Sequence, residues 1–295
     1  MIDSDQQLLA EFETHRGHLR GVAYRMLGSA SEAEDALQEA WLRVSRADTD
    51  AVENIGGWLT TVVARVCLNM LRSRKSRREE PLDSHVPDPI VTREGGAGPE
   101  REALLADSVG LAMLVVLETL TPPERLAFVL HDMFGVPFDD IGRIVERSPA
   151  AARQLASRAR RRVRGGAAAA DVDLDRQREV VDAFFAAARE RDFDALVAVL
   201  DPDVVLRSDG GDARPAMSVL IRGAEAVAGR AVTFGHFAPD VRPAVVNGVA
   251  GAVVAPRGRA FSVMSFTVAG GRIVAMDVLV DPERLARLDL SGLDS

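Results

Sequence analysis

Hydrophobic positions in the first 80 residues recur every three or four places. Leu19, Val22, Ala23, Met26 and Leu27 form one stripe, and Ala33, Ala36, Leu37, Ala40, Trp41 and Val44 form a second, the spacing of amphipathic helices. Gly28 closes the first, and Ser31 with Glu34 reads as a capping box that opens the second. A loop over 46–57 holds Gly56 and Gly57, and a third stripe runs through Leu59, Val62, Val63, Val66 and Met70. Residues 1–80 therefore read as a helical bundle. Over 81–105 the pattern dissolves. Pro81, Pro87, Pro89 and Pro99 interrupt it, and Asp83, Asp88, Glu94, Glu100 and Glu102 make it acidic, which predicts a flexible linker.

Helical spacing returns over 106–166. Thr121-Pro122-Pro123-Glu124 is a helix start, with a threonine cap, proline in the first turn and a glutamate three residues on. A turn at Gly135 leads to a helix with Phe138, Ile141, Ile144 and Val145, and Ser148-Pro149 opens a longer one through Arg164. Two short helices and a longer third predict a helix-turn-helix. From 171 the character changes. Helical runs around Val180–Phe185 and Phe193–Leu200 precede strand-like runs at 204–206, 241–246, 249–255, 260–268 and 272–280, with Gly270-Gly271 as a hairpin turn. Helices followed by strands predict an α+β domain over 171–295.

Charge alters this picture only when it is located. The 295-residue chain has net charge −8, which taken whole argues against nucleic acid. Yet residues 147–164 hold seven arginines and no acid. On the last helix of the helix-turn-helix, Ala152, Leu155, Ala156, Ala159 and Val163 form an apolar stripe, while Arg153, Gln154, Ser157, Arg158 and Arg161 face away. Such a face suits a major groove, where arginine meets phosphate or guanine and glutamine reads a base. A solvated charged face is the alternative, although such faces usually mix signs. A second basic cluster carries Arg65, Asn69, Arg72 and Ser76 on one polar face, extended by Arg74, Lys75, Arg77 and Arg78; Arg65, Asn69, Arg72 and Lys75 are its candidate DNA-binding residues. Two basic elements joined by a linker suggest two contacts on one DNA molecule.

These segments resemble a known family. Tyr24-Arg25-Met26-Leu27-Gly28 and Ala33-Glu34-Asp35-Ala36-Leu37-Gln38-Glu39-Ala40-Trp41-Leu42 are similar to region 2 of extracytoplasmic-function (ECF) sigma factors. Trp58-Leu59 with 65–78 resembles the helix that meets the promoter −10 element, and 121–164 resembles region 4, which reads the −35 element. The resemblance implies core RNA polymerase (its beta-prime clamp and beta flap) and promoter DNA as partners. It implies that Asp35, Gln38, Glu39 and Trp41 meet the clamp, that the loop 46–57 captures a flipped −10 base, and that the acidic linker threads the polymerase cleft. Core packing explains Trp41 equally well.

The C-terminal part resembles the SnoaL-like, NTF2-type cone of the sigma-J-like subgroup. The fold class expected is thus two all-α sigma domains followed by an α+β cone. The subgroup carries an Asp-Gly-Gly motif and an Asn-Pro-Asp-Lys-Leu-type motif. Asp209-Gly210-Gly211, continuing through Arg214, and Asp281-Pro282 with Leu285 correspond, the first departing after Gly211 and the second with acid for asparagine. Both also read as plain turn chemistry. An α+β domain with no complete catalytic set, attached just after the DNA-reading helix, leads to the expectation that it regulates in cis, packing on regions 2 and 4 or their linker.

Catalysis is the rival reading for this domain. On the last strand Val274, Met276, Val278 and Val280 would share one face and Ile273, Ala275, Asp277 and Leu279 the other, so Asp277 is a candidate general base among apolar neighbours. The only tyrosine is Tyr24, in the first domain, and His236 is the only histidine here, so neither a tyrosine donor nor a metal cluster is expected. No catalytic residue, metal or cofactor is therefore assigned. A ligand-responsive helix-turn-helix regulator acting without polymerase is a further rival, which the region 2 resemblance argues against. One cysteine, an acidic N-terminus and no apolar run of ~18 residues lead to the expectation of a cytoplasmic protein without membrane contact.

Overall fold

The computed structural model describes residues 2–47, 52–77, 84–92, 110–166, 171 and 173–290. They form two compact units, Met1–Glu80 with Val116–Gly166, and Pro81–Val115 with Ala167–Ser295.

The first unit is all-helical. Helices α1 (Ile2–Leu27), α2 (Ala30–Val44) and α3 (Ile55–Arg77) pack on one another. The two stripes read from the sequence as α1 and α2 are buried, apart from half-buried Trp41. The cap of α2 is Ser29, whose hydroxyl accepts the Glu32 amide; the expected Ser31–Glu34 box is absent because Gly28, at φ +73°, lets the chain turn two residues earlier. Helix α3 likewise starts before Gly56 and Gly57, which were expected in a loop. Asn54 Oδ1 accepts the Gly57 amide at 2.9 Å and caps it.

Helix α4 (Leu111–Glu118) contains the boundary between the units. Helix α5 (Pro122–Phe128) runs on as a π-helical turn, Val129–Met133, and is followed by α6 (Phe138–Val145) and α7 (Pro149–Gly166), the expected helix-turn-helix. Its start is as read: Glu124 Oε2 accepts from both the amide and the hydroxyl of Thr121, at 3.2 and 2.8 Å. Arg125, 3% exposed, ties α5 to α1 by donating to the carbonyls of Met26 and Leu117, each at 2.8 Å. Burial pulls its guanidinium down to about 10, still charged at neutral pH.

The second unit is the α+β cone. Helices α8 (Leu174–Glu190), α9 (Phe193–Val199) and α10 (Ala224–Phe234) pack on one face of a seven-stranded sheet. Its strands are β1 (Val91–Thr92), β2 (Leu200–Asp209), β3 (Val219–Arg222), β4 (Val241–Val246), β5 (Val249–Val254), β6 (Ser262–Ala269) and β7 (Arg272–Leu279), ordered β1-β4-β5-β6-β7-β2-β3. Only β2 and β7 run parallel. The β4–β5 and β6–β7 hairpins turn on Asn247-Gly248 and Gly270-Gly271, all at positive φ, as tight hairpins of matching twist require. Gln177, buried on the inner face of α8, joins helix to sheet by accepting the Ala250 amide at 2.9 Å.

Three expectations are corrected here. Strand β3 and helix α10 are additional elements that periodicity did not separate from the surrounding turns. The alternation on β7 breaks at a bulge at Val274, so Ile273 rather than Val274 shares the core with Met276. Part of the expected flexible linker is an ordered strand, β1, paired antiparallel with β4.

Cys67, on α3, is fully buried, and burial pushes its thiol up to about 12. The native protein is therefore expected to leave a thiol-reactive chromophore unmodified at pH 7 and to react stoichiometrically in denaturant; rapid native reaction would contradict the packing of α3.

Candidate functional site

Helix α7 begins at Ser148, whose hydroxyl accepts the Ala151 amide at 3.2 Å. Ala152, Leu155, Ala156, Ala159 and Val163 are buried, and Arg153, Gln154, Ser157, Arg158 and Arg161 are exposed, the two faces that the sequence separates. Its cations are not all free for a polyanion. Glu124 accepts from Arg158 Nε at 2.9 Å and Arg162 Nη1 at 2.8 Å, and Asp132 accepts from Arg160 at 2.6 Å. Burial pushes the Glu124 carboxyl up, but hydrogen bonds from Arg158 and Thr121 outweigh it and hold the group below its ordinary range. Arg153 lies over the Phe138 ring at 5.2 Å. The open end of this face therefore centres on Arg153, Gln154, Ser157 and Arg161, while Arg158 is pinned to α5.

On α3, Arg65, Asn69 and Arg72 are exposed along one face. The backbone of Lys75 continues the helix; its side chain lies outside the described residues, as do residues 48–51 of the loop expected to take a base. Arg74 does not extend this face. It turns inward, donating to the Leu27 carbonyl at 3.1 Å and pairing with Glu32. A basic residue there answers the carbonyls left open at the C-terminus of α1.

Helix α2 presents Asp35, Gln38 and Glu39 outward, with Glu39 paired to Arg43 at 2.9 Å. Trp41 packs edge-on against Phe12 with ring centres 5.2 Å apart, so it is both a packing residue and a wall of a groove between α1 and α2. Sequence reading missed Leu9 and Leu42, respectively 45% and 50% exposed at that groove. The signal was there: Leu42 falls off the apolar stripe of its own helix. Exposed leucines ringed by charge suit a protein partner.

In the second unit the two short motifs converge on one site. Gly210 and Gly211 are obligatory, since a Cβ would lie 2.0 Å from the Arg214 carbonyl oxygen at the first and 2.0 Å from Asp281 Oδ2 at the second, where φ is +55°. Arg214 donates to the Val280 and Phe261 carbonyls at 2.9 and 3.3 Å and stacks on the Phe261 ring. Asp281 caps α11 (Pro282–Leu285), accepting from the amides of Glu283 and Arg284, Pro282 occupies its first turn, and Leu285 is buried beside Val91 and Leu279.

The convergence point is Asp209, 5% exposed. Its Oδ1 accepts the Gly211 amide at 3.0 Å, while Oδ2 accepts the Val86 amide at 3.0 Å, Arg284 Nη1 at 2.7 Å and lies 2.9 Å from His85 Nδ1. Arg284 also donates to Asp88 at 2.6 Å and to the Val86 carbonyl. Burial pushes Asp209 up, but His85, the Val86 amide and Arg284 together hold it far below the usual carboxylate range. Further along, the Ile90 amide donates to Asn247 Oδ1 at 2.9 Å and the Asn247 amide to the Ile90 carbonyl at 2.8 Å. Residues 85–92 are thus held by a clamp, an asparagine bridge and a strand pairing. Arg284, His85 and Asn247 were absent from the candidate residues, because nothing in local spacing links positions nearly two hundred residues apart.

Asp277 is a structural carboxylate. It is 1% exposed and accepts from Arg207 at 2.6 Å across adjacent strands. Burial pushes its pKa up against the pull of Arg207. Its neighbours Met276 and Val278, not Asp277 itself, line the cavity of the cone. Among the described residues no helix is long and apolar enough to cross a membrane, and no group of three His, Cys, Asp or Glu side chains can hold a metal.

Residues 12–77 match the family model of Sigma-70 region 2, and residues 111–163 that of Sigma-70 region 4. The chain is 38% identical over 290 residues to the ECF RNA polymerase sigma factor SigJ of Mycobacterium tuberculosis, covering 94% of this chain and 92% of SigJ. To the probable ECF RNA polymerase sigma factor SigI of the same species it is 35% identical over 291 residues, covering 96% and 97%. A crystal structure of M. tuberculosis SigJ superposes with a TM-score of 0.76 at 35% identity, covering 96% of this chain and 99% of that one.

Two outcomes follow from the geometry. On the reading that the open face of α7 meets DNA, Arg161→Ala and Gln154→Ala are each expected to weaken binding to a cognate DNA duplex by about 5- to 100-fold. Fluorescence anisotropy over a salt series checks this, with the logarithmic salt slope falling by ~1 for Arg161 only if it contacts phosphate. Arg284→Ala is expected to raise hydrogen exchange at the Val86 and Ile90 amides at least tenfold. In the parent chain that protection is expected to be full above the ordinary carboxylate range and to diminish progressively as pH falls through it, because a depressed Asp209 contributes its whole stabilisation only above the unfolded-state pKa and has lost it by its own lower folded-state pKa.

Proposed function

Because the chain belongs to the ECF RNA polymerase sigma factors, we propose that it is an alternative sigma factor restrained in cis by its own C-terminal domain. As a sigma factor it binds core RNA polymerase and directs promoter-specific initiation, in the cytoplasm where both are found. In this reading the α2 face with Asp35, Gln38, Glu39 and Trp41, widened by Leu9 and Leu42, meets the beta-prime clamp. Arg65, Asn69, Arg72 and Lys75 meet the −10 element, and Arg153, Gln154, Ser157, Arg158 and Arg161 meet the −35 element, with region 4 seated on the beta flap. Binding there requires Arg158 to leave Glu124 or to share it. The cone acts as a regulator and not as a catalyst.

One observation carries the regulatory part: residues 85–92, in the segment that connects region 2 to region 4, are bonded to the sheet of the C-terminal domain and to the helix that follows it. A sigma linker that must thread the polymerase cleft is not free to do so while it forms strand β1. Release costs the β1–β4 pairing and the Asp209–Arg284 contacts to residues 85–88. Hydrogen bonds to buried charged groups are worth ~1.5–3 kcal/mol each, so removing one shifts the held-to-released ratio by about 10- to 100-fold.

The experiment is in vitro transcription with core polymerase and the full chain, beside Asp209→Asn and Arg284→Ala. Both variants are expected to give several-fold more promoter-specific transcript than the parent at equal concentration. Folded variants with unchanged or lower output would overturn restraint in cis. Absence of promoter-specific initiation from every form, including a chain ending near Asp171, would overturn the sigma-factor roles assigned to the helices.

A further inference from the structure

Within the C-terminal domain, α8, α10 and the concave face of the sheet line a cavity of about 110 Å³ that is open on one side. A concave, mostly apolar pocket with a few placed polar groups is the usual form of a small-molecule site. Its walls are aromatic: Phe184, Phe185, Phe234, Phe237 and Phe261 line it, with methionines between them. Polar groups are few and placed. Arg230 stands among the lining residues with its guanidinium 4.6 Å from the Phe234 ring centre. Ser208 on β2 and Ser262 on β6 also line the cavity, though they are only 6% and 4% exposed. Two serines on the wall of an otherwise apolar chamber are the kind of sparse polar group that orients a ligand there.

The same walls are built into the linker clamp. Ser208 immediately precedes Asp209, and because side chains alternate along a strand, one faces the cavity while the other holds the linker. Val280 lines the cavity and precedes Asp281, the cap of the helix that carries Arg284. Phe261 lines it too, and its outer side is covered by Arg214, which closes the turn after Asp209. Both Asp209 oxygens and all three Arg284 nitrogens are engaged, so displacing either residue weakens at least one contact to residues 85–88.

We infer that this cavity is an effector site for an uncharged, largely aromatic molecule bearing a hydroxyl or carbonyl oxygen, and that occupancy loosens the clamp on the linker. The regulatory half rests on restraint in cis; the binding half does not. An aromatic body fills the phenylalanine walls, and its oxygen meets Ser208 or Ser262. Growth of the occupant against Ser208 and Phe261 moves the 209–214 turn, and the linker contacts lengthen with it.

The test uses the full chain with 2-naphthol as probe and naphthalene as its oxygen-free control. Saturable one-to-one binding of 2-naphthol is expected by fluorescence titration, weakened at least tenfold in Ala231→Phe, which fills the cavity from α10. Ser208→Ala with Ser262→Ala is expected to shrink the preference for 2-naphthol over naphthalene by about 2- to 10-fold while leaving naphthalene binding in place. Hydrogen exchange at the Val86 and Ile90 amides is expected to rise at least twofold on saturation in the parent and to stay unchanged in Ala231→Phe. Circular dichroism and thermal unfolding confirm that the variants are folded. No saturable binding, or binding indifferent to Ala231→Phe, overturns the site. Binding with unchanged exchange at Val86 and Ile90 overturns the coupling. Restraint in cis stands or falls separately, on transcription by Asp209→Asn and Arg284→Ala without any ligand.

Discussion

A carboxylate withdrawn from water is tolerated only when its lone pairs are met by donors, and Asp209 meets this demand with donors from three stretches of chain: the turn that follows it, the linker at 85–86, and Arg284. The glycines beside it, the cap on α11 and the bend of Arg214 make sense as means of bringing those donors to one point. A buried ion pair of this kind is weak evidence for stability, since its desolvation cost is large. It is better understood as a device for register. It fixes which residues of an otherwise turn-rich segment lie against the sheet, and so which two of them become β1.

The helical unit uses a similar economy. Glu124 closes the start of α5 and neutralises two arginines of α7, so one side chain both builds the helix-turn-helix and moderates its charge. Seven arginines between residues 147 and 164 look like an unscreened polycation on paper. In the fold, three of the helix's arginines answer acids from neighbouring elements. Residues 1–170 carry 22 basic and 25 acidic residues, and this balance is realised locally as well as in total. A helix so moderated binds polyanion more weakly and with more dependence on neighbouring contacts than its arginine count implies.

Helices with long apolar stripes, such as α2 and α7, were legible in the sequence to within a few residues, as were the hairpin at Gly270-Gly271 and the Thr121 cap, because each is set by neighbours in the chain. The errors share one cause. Ser29 in place of Ser31, the early start of α3 and the bulge at Val274 were decided by tertiary packing or by a glycine's freedom, which periodicity does not register. The motifs around Asp209 and Asp281 were visible as turns, yet their meeting with each other and with the linker was not, because Arg284 lies 75 positions from Asp209 and 196 from Asp88. Proline and acid between 81 and 105 signalled a spacer. Proline also suits the approach to an edge strand, and Val86, Ile90 and Val91 carried the apolar signal that the surrounding prolines obscured.

Strand β1 is only two residues long and lies at the border of the sheet, so β4 is an inner strand solely by virtue of the linker. When that segment departs, the outer backbone groups of Val245 and Val246 lose their partners and the sheet acquires a bare margin. Such margins invite whatever extended chain is nearest, including the same margin of another molecule. Under the regulation we propose, the linker hides a hydrogen-bonding surface on its own protein for as long as it stays docked, and its exit would create a surface to be covered by a new strand or by the linker's return.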